Sequence, residues 1–412
     1  MALSVVAVVA LAVRIAAALA LDGFLHPDVQ EYDLIARNLL AGRGFTYPNL
    51  GIVYHSYAAP LPVWVSATSY WLTGSLAAAM LLQMITGSTL AVVTAIVAGR
   101  LYGGCVAPLA AGLLVAVHPG LVLYSSAKMH ALAFDSLFFI AALLQSFRVA
   151  ERVTIGRAIG LGVIIGVGAL SRGTILVLLP ISAVWLLIVV PRPTRRLALT
   201  CAVIAGASAA AVIAPWTIRN SLIHHRFVPV LTTDSFVFWL GNNPYASGGA
   251  YIDAEHTVLG ALPAHEREDL ESQPDEIAQS EWFKTRAIGF IKAYPGAFVR
   301  RALKKFMMFW WFSDQTGLLY PRAWLALYKA YYVAVLLLAA IGVWQLTHAS
   351  DLRAAIVRGS LLAAFVLGIS SLQSLYYVEG RHRWAIEPMI LALSGGGVAV
   401  ILNRRRVMAR DG

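Results

Sequence analysis

Charged residues are scarce in this chain of 412 residues: Asp, Glu, Lys and Arg make up 13% of it, whereas 59% of its residues are hydrophobic. The mean hydropathy is +0.71, and a soluble domain cannot bury so much apolar surface. Acids are scarcer than bases, 21 against 32, which gives a net charge of +11. In a membrane protein this excess is typical of cytoplasmic loops. We therefore expect an integral membrane protein, and no nucleic acid partner.

Cysteine is nearly absent as well. Cys105 and Cys201 both lie in apolar runs, where a thiol packs as a small core side chain. They imply neither a disulfide framework nor a metal site. The sequence also lacks a Walker A loop, an HExxH motif and a paired CxxC. No motif therefore indicates nucleotide or zinc chemistry.

What the chain has instead is a series of apolar stretches that approach the length of about 20 residues needed to span a membrane. They lie at approximately residues 1–24, 76–99, 104–122, 128–147, 156–171, 173–190, 197–215, 324–346, 354–375 and 386–402. We treat the region between 156 and 190 as two spans. A single span would place the basic PRPTRR loop on the extracytoplasmic side, against the rule that basic loops are cytoplasmic. Gly162 and Gly166 form a GxxxG pattern, which favours close packing of two helices.

The arginines of the short loops predict the orientation of these ten spans. With this count they fall on one side, which the positive-inside rule makes cytoplasmic, and both termini lie on that side as well. They are Arg100, Arg148, Arg152, Arg157, Arg192, Arg195, Arg196, Arg353 and Arg404 to Arg406.

The longer polar stretches then fall on the extracytoplasmic side. We expect a transmembrane core at 1–215, with an extracytoplasmic first loop at 24–74. An extracytoplasmic segment at 216–322 follows, whose stretch FVRRALKKFMMFWWF suits a helix lying at the headgroups. The C-terminal transmembrane helices occupy 323–412.

The first loop opens on the stretch HPDVQEYDLIARNLLAGRGF, which is too polar for hydrocarbon. Pro27 suits the first position of a helix, which would place Asp28 and Glu31 in its first turn. Gly42 and Gly44 should end this helix. Acids in a first turn favour the helix dipole, so a purely structural role for Asp28 stays open.

Asp33 has a simpler explanation. It lies four residues before Arg37, the spacing at which opposite charges pair along a helix. Asp28 and Glu31 instead share a face with apolar residues, which favours contact with the protein or with lipid.

Several basic residues also fall on the side of the first loop, against the positive-inside rule. They are Arg172, Arg219, Arg381 and Arg383. Each one alone could snorkel to the headgroups or pair with an acid such as Glu379. Several together indicate an anionic ligand, because the planar fork of a guanidinium suits a phosphate.

An acid beside a phosphate-binding cluster at a membrane surface predicts a chemistry. The acid can take a proton from an incoming hydroxyl, and the arginines can stabilise charge on a departing phosphate. This is glycosyl transfer from a polyprenyl-phosphate sugar.

Several segments resemble the polytopic GT-C glycosyltransferases of family 39, which include bacterial aminoarabinose transferases and protein O-mannosyltransferases. The segments are PDVQEYDLIARNLLAGRGF, HPGLVLYSS, ALSRGTILVLLP, APWTIRN with FVFWLGNNPYASGG, and RHRWAIEPMILAL. They cover most of the chain in the expected order. The resemblance implies an all-α polytopic bundle of GT-C type with an extracytoplasmic α or α+β segment.

The resemblance also implies roles for particular residues. Asp28 takes the place of the catalytic base, with Glu31 as its nearest reserve. Arg172, Arg381 and Arg383 correspond to residues that handle the lipid phosphate.

The chain departs from the family after its third span. Many members carry an acid there, but this chain has Lys128 and His130 in the sequence SSAKMHALAF. This puts a divalent cation in doubt as a cofactor without excluding it, and Lys128 could meet the phosphate instead. Asp135 either substitutes for the missing acid or is a buried acid paired with a neighbour.

Three further residues are candidates for positioning the substrate: Tyr32, His55 and Arg219. A lone histidine in an aromatic loop is more often a packing or surface residue, and this alternative applies to His55.

The function predicted from the sequence is inverting transfer of a sugar from a polyprenyl-phosphate-linked donor to a hydroxyl acceptor on a protein, a lipid or a glycan. Two alternatives use the same residues differently. A transporter or flippase for a lipid-linked sugar needs the arginines but no base, and a membrane scaffold would bind a partner through residues 216–295.

Overall fold

The computed structural model describes residues 2–312 and 320–411, without the side chains of 404–411. Part of the predicted 216–322 segment and the side chains of Arg404 to Arg406 therefore lie outside the described part. The first half of the chain forms α1 (Ala2–Ala20), α2 (Glu31–Leu40), β1 (Tyr47–Asn49), β2 (Ile52–Tyr54), α3 (Pro60–Thr73), α4 (Ala77–Tyr102), α5 (Val106–Ala116), α6 (Pro119–Ser126), α7 (Leu132–Glu151), α8 (Ile155–Ala169), α9 (Leu178–Val189) and α10 (Arg195–His224).

Helices also dominate the second half. It forms α11 (Asp234–Gly241), α12 (Ala264–Glu271), α13 (Glu276–Ala293), α14 (Pro295–Trp310), α15 (Arg322–Thr347), α16 (Leu352–Ser374), α17 (Gly380–Trp384) and α18 (Glu387–Asp411). Short 3-10 helices lie at Gly173–Val177 and Arg192–Thr194. The two short strands pair as an antiparallel hairpin. The predicted fold class, an all-helical polytopic membrane protein, is confirmed.

Every predicted span coincides with an apolar helix. Among the described residues, α1, α4, α7, α10, α15 and α16 are long and apolar enough to cross a membrane, and α5 with α6 makes a seventh candidate bent by 53°. The remaining predicted spans correspond to shorter apolar helices at 155–169, 173–189 and 387–403. The stretch between 156 and 190 is divided into two helices, as the sequence predicted.

The small residues allow the helix axes to approach closely. A Cβ atom added to Gly162 in α8 would lie 2.2 Å from the backbone oxygen of Ala205 in α10. One added to Gly166 would lie 3.0 Å from the oxygen of Ala209. The GxxxG pattern therefore packs helix against helix, which is the reason small residues recur at such contacts.

The basic loop residues gather at one end of the bundle. Arg100, at the end of α4, pairs with Glu151 at the end of α7. Arg157 donates to the backbone oxygen of Arg148, and Arg358 in α16 donates to the backbone oxygen of Arg100. The loops after α4 and α7 and the first part of α16 therefore lie close together.

The other end of the bundle, here called the loop face, carries residues 24–74 and 225–310. Leu61, at the start of α3, donates its backbone N–H to the oxygen of Leu170, 2.9 Å away at the end of α8. A second hydrophobic core lies on this side, formed by Trp239, Leu240, Val258, Leu262, Leu270, Trp282, Phe283 and Ala287. The helix α10 continues to His224, so the predicted boundary at 216 falls inside a helix.

The first loop differs from its prediction at one end. The helix α2 begins at Glu31, so Pro27 is not its first residue and Asp28 lies outside it. The reason is tertiary: the backbone of Asp28 pairs with the segment after α6, with Asp28 N–H donating to Ala127 O at 2.8 Å. The helix ends at Leu40, and Gly42 and Gly44 follow with φ of +74° and +76°, as predicted.

The close contact at Gly162 makes a prediction about stability. Gly162→Ala should destabilise the protein by about 1–3 kcal/mol, because the new methyl group would overlap the backbone of α10. Gly156→Ala in the same helix is the control, since nothing lies within 4 Å of its added Cβ. Thermal unfolding in detergent measures both. Equal melting temperatures for the two variants would contradict the packing argument.

Candidate active site

Asp28 is held at the rim of the loop face by backbone and side chain together. Its N–H donates to Ala127 O at 2.8 Å, and its carbonyl accepts from Met129 N at 2.9 Å. Between these bonds, the ammonium group of Lys128 pairs with the carboxylate of Asp28. The Asp28 side chain is 54% exposed. The first loop is thus tied to the turn between α6 and α7, with one accessible carboxylate beside one lysine.

Glu31, three residues further on, is in a different setting. Glu31 is half-buried, and loss of hydration raises the pKa of its carboxyl group, while the positive charge of Arg381 acts in the opposite direction. Its charge also acts on Tyr47 and Tyr57, which lie on the same side of the loop. Glu31 therefore faces inward, where Asp28 faces outward.

Arg172 comes from the break between α8 and the 3-10 helix at Gly173–Val177. Its Nε donates to Oδ2 of Asp135 at 2.7 Å, and Oδ1 of Asp135 accepts from Ser171 Oγ at 2.6 Å. Asp135 lies in the first turn of α7 and is fully buried. It is therefore the paired acid that the sequence offered as an alternative. Among the described residues, no hydrogen bond uses the two terminal nitrogens of Arg172.

Arg381 repeats this arrangement from the end of the chain. In α17 its Nε lies 2.8 Å from Oε2 of Glu379, and Nη2 donates to the hydroxyl of Tyr377 at 3.3 Å. Within residues 2–312 and 320–411, its Nη1 has no hydrogen-bond partner. Both arginines are thus held at Nε by a carboxylate and keep at least one outer nitrogen for a ligand.

Tyr32 lies near charged residues that come from several different segments of the chain. Burial raises the pKa of the Tyr32 hydroxyl; the acids Glu31 and Asp135 act on it in the same direction, and Arg172 and Arg381 against it. The structure thus brings together the first loop, α7, the break after α8, and α17. These segments carry four predicted site residues, Glu31, Tyr32, Arg172 and Arg381, together with Asp135, the partner of Arg172.

Two histidines that were not predicted as site residues lie in the same region. The rings of His130 and Tyr32 meet edge to face, with centroids 6.2 Å apart. Burial lowers the pKa of both His130 and His382, and the charges of Arg172 and Arg381 lower it further. A neutral buried histidine leaves no pattern in a sequence that distinguishes it from a packing residue.

Arg383 is not part of this cluster, because its donors are already used inside the protein. It donates to Glu387 Oε1 at 2.7 Å, to Phe309 O at 3.0 Å and to Tyr328 Oη at 2.7 Å. Its guanidinium also lies 3.9 Å from the centroid of the Tyr332 ring. This fully buried arginine connects α14, α15 and α18.

His55 and Arg219 belong to another cluster. Arg219 donates to the backbone oxygen of His55 at 2.6 Å and lies over the ring of Trp216. The backbone N–H of His55 donates to Glu276 Oε1 at 2.6 Å. These contacts attach the first loop to α10 and α13, so the structure gives both residues a part in holding the loop.

The residues around Asp28 do not fit a divalent cation. The ammonium group of Lys128 lies against the carboxylate, where a bound cation would have to sit. His130 uses its Nδ1 lone pair to accept the N–H of Leu132 at 3.0 Å, so its Nε2 carries a proton. Across the described ranges, no group of three or more His, Cys, Asp or Glu side chains could hold a metal ion.

Comparison with known proteins gives a family match for part of the chain. Residues 57–218, less than half of the sequence, match the family described as dolichyl-phosphate-mannose-protein mannosyltransferase. Among curated proteins, none matches the chain.

Solved structures match over nearly the whole chain. The oligosaccharyltransferase of Archaeoglobus fulgidus, in complex with zinc and sulfate, aligns with a TM-score of 0.59 at 12% identity, over 99% of this chain and 50% of that one. ArnT from Cupriavidus metallidurans aligns at 14% identity and a TM-score of 0.46 when bound to undecaprenyl phosphate, over 96% of this chain and 77% of that one. Its apo form aligns at 15% identity and a TM-score of 0.44, over 96% of this chain and 76% of that one. This chain spans half the length of the oligosaccharyltransferase.

These comparisons support the resemblance to GT-C glycosyltransferases. The fold is similar to that of the Archaeoglobus fulgidus oligosaccharyltransferase, and helices α3 to α10 lie almost entirely within the region that matches the mannosyltransferase family.

We expect the site around Asp28 to bind divalent cations only weakly. Mn²⁺ titrated into the purified protein should show no stoichiometric binding by electron paramagnetic resonance, because Lys128 neutralises Asp28. Lys128→Asp should bind Mn²⁺ more tightly, since it replaces the ammonium with a second carboxylate ligand. Tight stoichiometric binding to the unaltered protein would contradict this interpretation.

The two arginines of α17 should differ in their effect on stability. Arg383→Met should lower the free energy of unfolding by about 3–5 kcal/mol, because the buried Glu387 would lose its arginine and keep only His118 and Tyr328 as partners. Arg381→Met should cost less, because water can reach its partner Glu379, which is 22% exposed. Thermal unfolding in detergent compares them. A larger loss for Arg381→Met would show that the assignment of Arg383 to the bundle interior is wrong.

Proposed function

We propose that this protein is a glycosyltransferase that moves a sugar from a polyprenyl-phosphate-linked donor to a hydroxyl acceptor, on the extracytoplasmic side of the cell membrane. One observation carries the proposal. Arg172 and Arg381, from the middle and the end of the chain, are each held at Nε by a carboxylate and meet the first loop with outer nitrogens available. The mannosyltransferase family match supports the same class of reaction.

The arginines supply the site for the phosphate of the donor. A guanidinium donates two parallel hydrogen bonds to phosphate oxygens and keeps its charge at any physiological pH. Asp135 and Glu379 fix the direction of each fork before the ligand arrives, so little orientation is lost on binding. Two positive groups stabilise the negative charge that builds up on the leaving phosphate.

The carboxylate of Asp28 is the proposed general base. It is the accessible acid of the pair, so an acceptor hydroxyl can approach it from the loop face. As the base takes the hydroxyl proton, the acceptor oxygen forms a bond to C1 of the sugar. The bond between C1 and the phosphate oxygen breaks, and its electron pair leaves with the polyprenyl phosphate. Attack from the opposite side inverts the configuration at C1.

Lys128 lies beside the proposed base and can also contact the phosphate of the donor. Its ammonium pairs with the carboxylate of Asp28 in the resting site. We propose that it moves to the phosphate when the donor binds, which releases the carboxylate to accept a proton. No step of this scheme passes through a metal ion.

Glu31 has a supporting role in this scheme. Burial raises its pKa and favours its protonated form more than in water. In that form it can donate to a sugar hydroxyl, and as a carboxylate it is the nearest reserve base. Tyr32, beside it, positions the loop against His130.

The test compares three acids of the first loop in cells. Mass spectrometry of cell-envelope glycans, with and without the protein, should reveal one missing sugar. A plasmid carrying Asp28→Asn should fail to restore it, because loss of a general base slows a reaction by about 10²–10⁴-fold. Glu31→Gln should restore it in part.

The matched control is Asp33→Asn. Asp33 pairs with Arg37 at 3.0 Å and accepts a hydrogen bond from Tyr70 on the outer side of α2, so this variant should restore the sugar fully. Immunoblots of membranes establish that the variants accumulate equally. Restoration by Asp28→Asn would reject the enzyme and favour a transporter, which needs the arginines and no base.

A further inference from the structure

The two histidines of the site share an arrangement that the scheme above does not use. His130 lies in the turn between α6 and α7, and His382 lies in α17. Their exposed fractions are 5% and 6%, so both rings are more than nine-tenths buried. A buried polar ring needs partners for both of its nitrogens.

One nitrogen of each ring has a partner that determines its tautomer. Nδ1 of His130 accepts the backbone N–H of Leu132 at 3.0 Å, and Nδ1 of His382 accepts that of Glu379 at 3.2 Å. A backbone N–H can only donate, so neither Nδ1 carries a proton. In the neutral ring the proton must then be on Nε2, which makes Nε2–H a donor in both residues.

Neither Nε2–H has a hydrogen-bond partner among residues 2–312 and 320–411. Neither Nε2 atom is among the buried polar atoms that lack a partner, so each borders space that a ligand can enter. The ring of His130 meets that of Tyr32. The ring of His382 meets that of Tyr377, whose hydroxyl accepts a hydrogen bond from Arg381. Two unpaired neutral donors thus lie among arginines that also keep outer nitrogens free.

Packing fixes the direction of both donors. The ring of His130 meets Tyr124 edge to face at a centroid distance of 4.9 Å. The ring of His382 meets Tyr377 in the same way at 5.1 Å. Each imidazole is therefore held by its Nδ1 bond and by an aromatic neighbour, as a preorganised donor must be.

We propose that His130 and His382 bind the phosphate of the lipid-linked donor as neutral hydrogen-bond donors, each through Nε2–H, between the guanidinium groups of Arg172 and Arg381. This inference rests on the proposed function and extends it to residues that were assigned no role. The donor is a phosphodiester with one negative charge, and cleavage of its C1–O bond leaves a phosphate monoester with up to two. Fixed donors bind the second state more strongly, so they favour departure of the leaving group.

The neutral state of these rings has its own consequence. Burial and the positive neighbours lower the pKa of both histidines, so they donate without adding charge to the site. Two protonated rings beside two arginines and Lys128 would hold a phosphate too strongly to release it. The neutral N–H donors orient the phosphate, and the arginines supply the positive charge that attracts it.

Two substitutions at each histidine separate the two nitrogens. An asparagine places its oxygen near the position of Nδ1, so it can still accept the backbone N–H but cannot reach the position of Nε2. A glutamine places its amide nitrogen near Nε2, so it keeps the donor and loses the backbone contact. A structural role predicts that asparagine is the better replacement, and phosphate binding predicts glutamine.

The experiment measures binding of decaprenyl phosphate to the full chain in nanodiscs. His130→Asn and His382→Asn should each weaken binding by about 10- to 100-fold, the usual value of a hydrogen bond to a charged group. His130→Gln and His382→Gln should stay close to the unaltered protein. Melting temperatures should follow the opposite order, because the glutamine variants lose the bonds to Leu132 and Glu379.

Two further ligands identify the source of the phosphate. Decaprenol, which has the same chain without phosphate, should bind much more weakly than decaprenyl phosphate, and so should inorganic phosphate without the chain. Equal affinity for inorganic phosphate would overturn the assignment to a lipid-linked ligand.

The remaining outcomes separate this inference from the proposed function. If both asparagine variants bind decaprenyl phosphate as tightly as the unaltered protein, the histidines do not contact the phosphate and only this inference fails. If the unaltered protein does not bind decaprenyl phosphate at all, the lipid-linked donor itself is wrong. Four variants at two positions keep the test valid even if one of them does not fold.

Discussion

A guanidinium group beside hydrocarbon must have a counter-charge, and the way this protein meets that need shapes its candidate site. Asp135 and Glu379 pair with Arg172 and Arg381 through Nε, and at least one outer nitrogen of each arginine has no hydrogen-bond partner among the described residues. Arg383 shows the opposite solution, in which Glu387, a tyrosine and a backbone oxygen take up its donors and the arginine becomes part of the interior. The same residue type therefore serves recognition or packing according to how many of its donors the protein leaves free.

The backbone bridge between Asp28 and the segment after α6 has a similar effect on the first loop. It places an exposed carboxylate and a lysine together at the rim, and it leaves Glu31 to begin α2 and face inward. Two acids three residues apart thus have different surroundings: Asp28 is exposed and paired with a lysine, whereas Glu31 is half-buried and has a raised pKa. Acids with different surroundings can take different roles in one reaction. The turn that carries Lys128 also carries His130, and it pairs with the backbone of Asp28, so the proposed base, the lysine and one proposed neutral donor meet at a single short segment.

Much of this could be predicted from the sequence. Ten apolar stretches coincide with apolar helices, the GxxxG pattern of α8 lies at a close helix contact, and Gly42 and Gly44 follow the end of α2. Arg172 and Arg381 could be singled out because they break the positive-inside rule and so need another reason for their place in the chain. In the structure both act on the Tyr32 hydroxyl. The start of α2 was predicted wrongly. Proline and acids favour a helix start at Pro27 locally, but the backbone of Asp28 pairs instead with that of Lys128, 100 residues further along the chain. His130 and His382 were missed as site residues, because nothing local marks a neutral imidazole as a donor.

Composition and periodicity alone determined that this chain is a polytopic helical membrane protein, because apolar length and the distribution of arginine act directly on each segment in a bilayer. The order of its segments also indicated a GT-C architecture. Only the tertiary structure decided which charges meet: that Lys128 pairs with Asp28, that Arg383 is enclosed while Arg381 is not, and that two histidines keep an unused N–H among the arginines. Such pairings join residues far apart in the chain, and hydrogen bonds depend on distances and angles that the backbone sets in three dimensions.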